Sequence, residues 1–187
     1  TAGQAAWTVI QLIQNPVYLE VVREELAEVL EGGKVIDQAI LREMKYLKMA
    51  VDETSRMRPS AEIIMRTVDE DLHIGDLVIP AGWMVQTAAA VDHFREEVFE
   101  DPYQYDPTRF SKERREDRRE KHAILSFGGG LHTCAGMNFA YNEMMVIAAL
   151  LFQTYDLEIL SGNPVVKRGL GSSRPSRTRM RYNRRQN

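Results

Sequence analysis

Among 187 residues there is one cysteine, Cys134, which excludes an internal disulfide framework. A lone cysteine suits a reducing compartment without proving one. No stretch approaches the ~20 consecutive apolar residues of a membrane-spanning helix, and the chain shows no secretory leader. Its first residues, Thr1-Ala2-Gly3-Gln4, carry neither an initiator Met nor a helix-starting cap. The chain therefore reads as starting inside a helix, as a piece of a longer protein. Acidic residues are missing from Asn163 onward, where eight Lys/Arg stand alone; of the 24 basic residues 16 remain against 27 acidic over residues 1–162, a net −11 there and −3 overall. Such a basic end can meet anionic lipid or nucleic acid. Nucleic acid is not supported over Arg174–Arg185, because a single aromatic, Tyr182, stands among the cations, and the plainer reading is a frayed surface tail.

What is present is an ordinary globular composition, 44% hydrophobic and 27% charged, in a chain long enough for one well-buried domain. Residues 1–14 read as a helix ended by Asn15-Pro16, since the residue before proline leaves the α region. Pro16 suits the first turn of a second helix, with Leu19, Val22, Leu26 and Val29 on one face and Gly32-Gly33 as its stop. Asp37 is positioned to cap a short helix. A further helix is expected from about Tyr46 to Met57, just before Pro59. Short strands are expected at Ile63–Met65 and at Leu72–Ile74, the latter turning through Gly75-Asp76 into Leu77–Ile79. Ala88–Asp92 reads as a short helix and residues 95–126 as a long irregular loop, a kind that is uncommon and often functional. A strong helix follows over Gly136–Gln153, then strands near Leu157–Leu160 and Met180–Tyr182. The fold class expected is mainly α with small β-sheets.

The most specific segment is Phe127-Gly128-Gly129-Gly130-Leu131-His132-Thr133-Cys134-Ala135-Gly136. Its glycines let the backbone turn tightly and approach a flat ligand closely. The cysteine stands at the opening of a long helix, where amide N–H groups and the helix dipole favour a thiolate. The bland alternative is an inert cysteine beside a Gly-rich turn. A phosphate loop is excluded because no Gly-Lys-Ser/Thr follows. The full pattern Phe-x-x-Gly-x-x-x-Cys-x-Gly resembles the heme-binding loop of the cytochrome P-450 family, in which a cysteine thiolate is the axial ligand of heme iron.

Two more motifs stand in that family's order. Glu53-Thr54-Ser55-Arg56 puts an acid and a base three apart on one helix face, a pairing worth little by itself when exposed. Followed by Arg58-Pro59, it resembles the family's Glu-x-x-Arg helix, and Asp106-Pro107-Thr108-Arg109-Phe110 resembles the Pro-x-Arg-Phe segment before the heme site. The resemblance implies that Glu53, Arg56 and Arg109 form a buried ionic cluster that locks the loop, a structural role. Arg66, otherwise an edge-strand arginine, and His132, otherwise a surface or packing histidine, are implied to hold the heme propionates. His73, His93 and His122 show no metal-ligand spacing and read as structural or exposed.

The resemblance covers essentially the whole chain. It implies the carboxy-terminal portion of a cytochrome P-450 fold, residues 1–187 forming one partial domain, with heme b as cofactor. Cys134 is then the axial ligand. Phe127, Gly128, His132, Gly136 and Arg66 bind the heme, with Gly3 and Ala6 over it. The activity implied is monooxygenation of an apolar, sterol-like substrate with electrons from an NADPH-dependent reductase or a ferredoxin. Membrane contact is expected through a missing amino-terminal part, and the location is the endoplasmic reticulum membrane for a eukaryotic source or otherwise the cytoplasm. This piece alone is not expected to hold heme tightly. The charge run over residues 112–122 reads as a solvated loop, or more sharply as a docking surface for the electron donor.

The first helix departs from the family pattern Ala/Gly-Gly-x-acid-Thr-Thr/Ser. Ala2-Gly3-Gln4 is similar to the sterol 14-alpha-demethylase branch, and so is Phe139-Ala140-Tyr141, but Ala5 and Ala6 replace both polar residues. Oxygen cleavage needs protons delivered by an alcohol and an acid or His. Thr8, about 200° around the helix from Ala6, does not substitute. Three accounts stay open: proton delivery by a substrate hydroxyl or water, a peroxide-using isomerase or peroxygenase, or a non-catalytic heme or sterol binder.

Overall fold

The computed structural model describes residues 1–169 and 172–185. Helix α1 (Ala2–Gln14) buries Trp7, Val9, Ile10 and Leu12. It ends where the Asn15 side chain turns back to donate to the Gln11 carbonyl at 2.8 Å. Helix α2 (Pro16–Val29) buries Leu19, Val22, Leu26 and Val29, the stripe that the 3.6-residue period demands. Asp37 caps α3 (Gln38–Glu43), accepting from the amides of Ala39 and Ile40 at 2.9 Å each.

Helix α4 (Lys45–Met57) has no cap of its own. The Glu25 carboxylate of α2 accepts from the Tyr46 and Leu47 amides at 2.7 and 2.9 Å, so a long-range partner satisfies two of the orphan donors of its first turn. The other end is satisfied just as fully. The Thr54 carbonyl accepts from the Arg58 amide, Ser55 from the Ser126 hydroxyl, Arg56 from the His93 ring and Met57 from the Arg58 side chain. Met44, Leu47, Ala50 and Val51 are sealed from solvent beneath α6 (Met137–Thr154), which contributes Met144, Ala148, Ala149 and Phe152. Truncating Leu47 to Ala in this core costs about 2–5 kcal/mol.

Among the described residues the strands form four two-stranded antiparallel sheets. β1 (Ile64–Thr67) pairs with β4 (Met84–Thr87), and β2 (Leu72–Ile74) with β3 (Leu77–Ile79) across the Gly75-Asp76 turn. The short helix α5 (Ala89–Asp92) follows β4. After α6, β5 (Tyr155–Ile159) pairs with β8 (Met180–Arg184), and β6 (Val166–Arg168) with β7 (Ser173–Pro175). This mainly α architecture with small sheets is the expected fold class.

Three features differ from the sequence reading. β4, β6 and β7 were not expected, because their three or four residues show no apolar alternation. The basic end is not frayed: the β5–β8 register runs from Tyr155 opposite Arg184 to Ile159 opposite Met180, with an Arg181–Glu158 ion pair at 2.9 Å. The charge run is not wholly solvated, since Glu116 within it is fully buried.

Candidate functional site: a cysteine-bearing cavity and its ionic support

The cysteine loop is a backbone construction. The Cys134 amide donates to the Phe127 carbonyl at 2.8 Å, closing the loop, and a 3-10 turn spans Gly130–His132. Gly128 sits at φ +75°, and a Cβ there would lie 3.1 Å from the His132 carbonyl oxygen, so both conformation and space demand glycine. A Cβ on Gly136 would reach within 3.9 Å of the Cys134 sulfur. Cys134 lies two residues before Gly136, the N-cap of α6, rather than in the helix itself, and its thiol is free and exposed.

The thiol opens into a cavity of about 560 Å³, within the range of small-molecule and cofactor sites. Apolar walls come from Ile63, Ile64, Met65, Leu125, Phe127, Phe139 and Met144. Several stand unusually open: Ile63 is 53%, Met65 56% and Phe139 73% exposed. Large apolar side chains held open around one concavity mark a surface that something else covers. Arg66 and His132 stand on the same lining. Arg66 donates to the Met65 carbonyl at 2.7 Å, and neither Arg66 nor His132 has an ion-pair partner among the described residues. Of the first helix, Thr1 and Gln4 line the cavity rather than Gly3 and Ala6. Gly3 instead faces β7, where a Cβ would lie 3.0 Å from the Ser173 carbonyl oxygen.

This lining suits a flat, apolar, dianionic ligand carrying a metal. The walls match its faces, the Arg66 guanidinium and the His132 ring offer N–H donors to its carboxylates, and the thiol matches its metal. Among the described residues no three His, Cys, Asp or Glu side chains come together as a metal-binding group. A single thiol therefore fits a metal that arrives with its other ligands, as in a porphyrin.

Behind the loop lies the ionic cluster. The Glu53 carboxylate accepts from Arg56 Nε at 2.7 Å and Nη2 at 2.8 Å, from Arg109 Nε at 3.1 Å and from the Asp106 amide at 2.9 Å. Arg56 also donates to the carbonyls of His93 and Pro102, both at 2.7 Å, and Arg109 to that of Glu100 at 2.9 Å. Glu53, Arg56 and Arg109 are each sealed from solvent. Buried ions are tolerable only with such complete pairing.

The sequence reading missed Glu116, which accepts from Arg109 Nη1 at 2.7 Å and from Arg114 Nη2 at 2.7 Å. Burial pushes its carboxyl up, but the Arg114 and Arg109 hydrogen bonds hold it below the usual range. Asp106 joins through Arg114; burial opposes its ionisation, yet bonds from Thr108 and Arg114 hold it down to about 2. His93 was read as structural or exposed and is structural, with no exposed surface. Burial lowers its imidazole from 6.5 to about 4. Nothing in local sequence marked Glu116, which is one acid in a run of mixed charge.

The comparisons converge on one family. Residues 1–177 match the family described as cytochrome P-450. A sterol 14alpha-demethylase of Mycolicibacterium vanbaalenii is 30% identical over 159 residues, 85% of this chain and 35% of that protein. A probable cytochrome P-450 524A1 of Dictyostelium discoideum is 36% identical over 146 residues, 78% and 27%. A 2-hydroxyisoflavanone synthase of Glycine max is 30% identical over 176 residues, 90% and 34%. The chain thus spans about a third of the length of these curated relatives. Among the described residues no helix is long and apolar enough to cross a membrane.

Proposed function

The chain belongs to the cytochrome P-450 family, and from that premise we propose that it is the heme-binding part of a heme-thiolate monooxygenase, in which the Cys134 thiolate would hold the iron. The observation that carries this reading is the exposed thiol set in an apolar cavity with Arg66 and His132 on its lining. When bound, heme b supplies dioxygen activation and insertion of one oxygen atom into the substrate. Cys134 would hold the iron, with the loop backbone fixing the sulfur's position. Arg66 and His132 would pair with the propionates. Phe127, Gly128 and Gly136 would pack against the porphyrin. Gly3 and Ala6, expected over the heme, do not line this cavity; from the start of the chain Thr1 and Gln4 do. Glu53, Arg56 and Arg109 hold the loop from behind and take no part in chemistry.

The substrate proposed is apolar and sterol-like, in keeping with the demethylase relative and with Ala2-Gly3-Gln4 and Phe139-Ala140-Tyr141. Electrons would come from an NADPH-dependent reductase or a ferredoxin. Any membrane contact, and with it an endoplasmic reticulum location in a eukaryote, is assigned to sequence outside this chain.

A second reading rests on Ala5 and Ala6. Neither can relay a proton, which favours an isomerase or peroxygenase that takes its oxygen from a peroxide. Turnover of a 14-methyl sterol by the heme-loaded full-length parent separates the two. Product with reductase and NADPH supports monooxygenation. Product only with added peroxide supports the second reading. Heme binding without product under either condition leaves a non-catalytic binder.

A further inference from the structure

His93 lies outside the cavity and forms no ion pair among the described residues, yet it is completely buried at the junction of three segments. Its surroundings fix its proton. The Leu125 amide donates to Nε2 at 2.7 Å, so Nε2 carries a lone pair. The proton is therefore on Nδ1, which donates to the Arg56 carbonyl at 2.9 Å. Arg56 answers by donating its Nη1 to the His93 carbonyl at 2.7 Å. The histidine is thus locked to the last turn of α4 by a reciprocal pair while its far nitrogen grips the chain two residues before Phe127. A second bond runs parallel, from the Ser126 hydroxyl to the Ser55 carbonyl at 2.8 Å. Between them these contacts fix residues 125–126, from which the loop rises to Phe127 and its carbonyl bond to the Cys134 amide.

We propose that His93 is a positioning residue, a neutral imidazole clamp that transmits the placement of α4 to the start of the cysteine loop and so sets where the Cys134 sulfur stands. Carbon chains of similar size fill the space but cannot bridge a donor to an acceptor. Lysine and arginine only donate. The ring bridges because one nitrogen gives and the other receives. The clamp is a feature of this chain's own hydrogen bonds, and only its spectroscopic consequence rests on the reading of Cys134 as the heme ligand.

The test uses the full-length parent holoprotein with His93→Gln and His93→Phe. The first readout is hydrogen exchange at the Leu125 amide. We expect protection comparable to the interior of α4 in the wild type, and exchange faster by about tenfold or more in His93→Phe, where that amide loses its partner. The second is the thiolate-type ferrous–carbon monoxide band followed through urea. In His93→Phe it should disappear at concentrations where helix content is still intact, with His93→Gln intermediate because an amide can both donate and accept. A Leu125 amide exchanging at free-loop rates in the wild type would overturn the proposal. So would band loss coincident with helix loss in all three proteins, the result of a merely structural role. Should His93→Phe fail to fold, wild-type exchange and His93→Gln decide. A well-folded wild type with no thiolate-type band would sink the functional reading and not the clamp, which Leu125 exchange still judges.

Discussion

Replacing Glu53 by Gln tests the ionic support behind the cysteine loop in a single substitution. Oxygen Oε1 accepts three hydrogen bonds and Oε2 one, from Arg56 Nε. A glutamine that keeps its carbonyl at the first position turns its amide toward Arg56 Nε, donor against donor. The neighbouring charges balance in the wild type: Glu53, Asp106 and Glu116 against Arg56, Arg109 and Arg114. The substitution leaves one uncompensated cation where Arg56 and Arg109 have almost no access to water. Breaking a buried pair by removing one partner costs about 3–5 kcal/mol. Against a typical total of about 5–15 kcal/mol that is a large fraction. The assay is urea unfolding of the full-length parent at pH 7, compared with Glu158→Gln, which breaks the exposed pair with Arg181 and should cost about 0–1 kcal/mol. Equal midpoints for the two variants would refute the claim that burial and complete pairing make the cluster matter.

Three other outcomes are expected. Gly128→Ala should destabilise the loop more than Gly130→Ala: both positions have positive φ, costing about 1–2 kcal/mol, but only Gly128 adds a contact, at 3.1 Å from a backbone oxygen; thermal unfolding of the two variants checks the order. His93, held near 4 when folded, makes stability fall as pH drops from about 6.5 to 4, because the unfolded chain binds a proton there that the folded one does not. The contribution is about 3 kcal/mol, present in full above 6.5, and urea midpoints across that range should lose most of this slope in His93→Gln. Arg66→Ala and His132→Ala should each speed heme loss to apomyoglobin while leaving urea unfolding of the apoprotein unchanged, since both side chains are exposed.

Some of this was legible in the sequence because its causes are local. The helix boundaries followed from Asn15-Pro16, Asp37 and the apolar stripe of α2, each a property of neighbouring residues. The β2–β3 hairpin followed from Gly75-Asp76 between apolar runs. Other parts were not legible, because their causes lie far apart in the chain. Glu25 caps α4 from a different helix, and only folding brings it there. β7 is placed by the Ser173 amide donating to the Ser60 carbonyl at 2.8 Å, a contact across more than a hundred residues. Glu116 resembles its charged neighbours in sequence and differs from them only in being turned inward to Arg109. In the cavity, Cys134, Arg66 and His132 were named from motifs. Gln4 and Thr1 appear on its lining because of how α1 is rotated, which a helical period gives only relative to a known partner.

The most direct measurement is the ferrous–carbon monoxide difference spectrum of the heme-loaded full-length parent beside its Cys134→Ser variant. A thiolate-type band in the parent that vanishes in the variant, with folding intact in both, is the result this account predicts. A parent that folds and binds heme but shows the same non-thiolate band with or without Cys134 would contradict it.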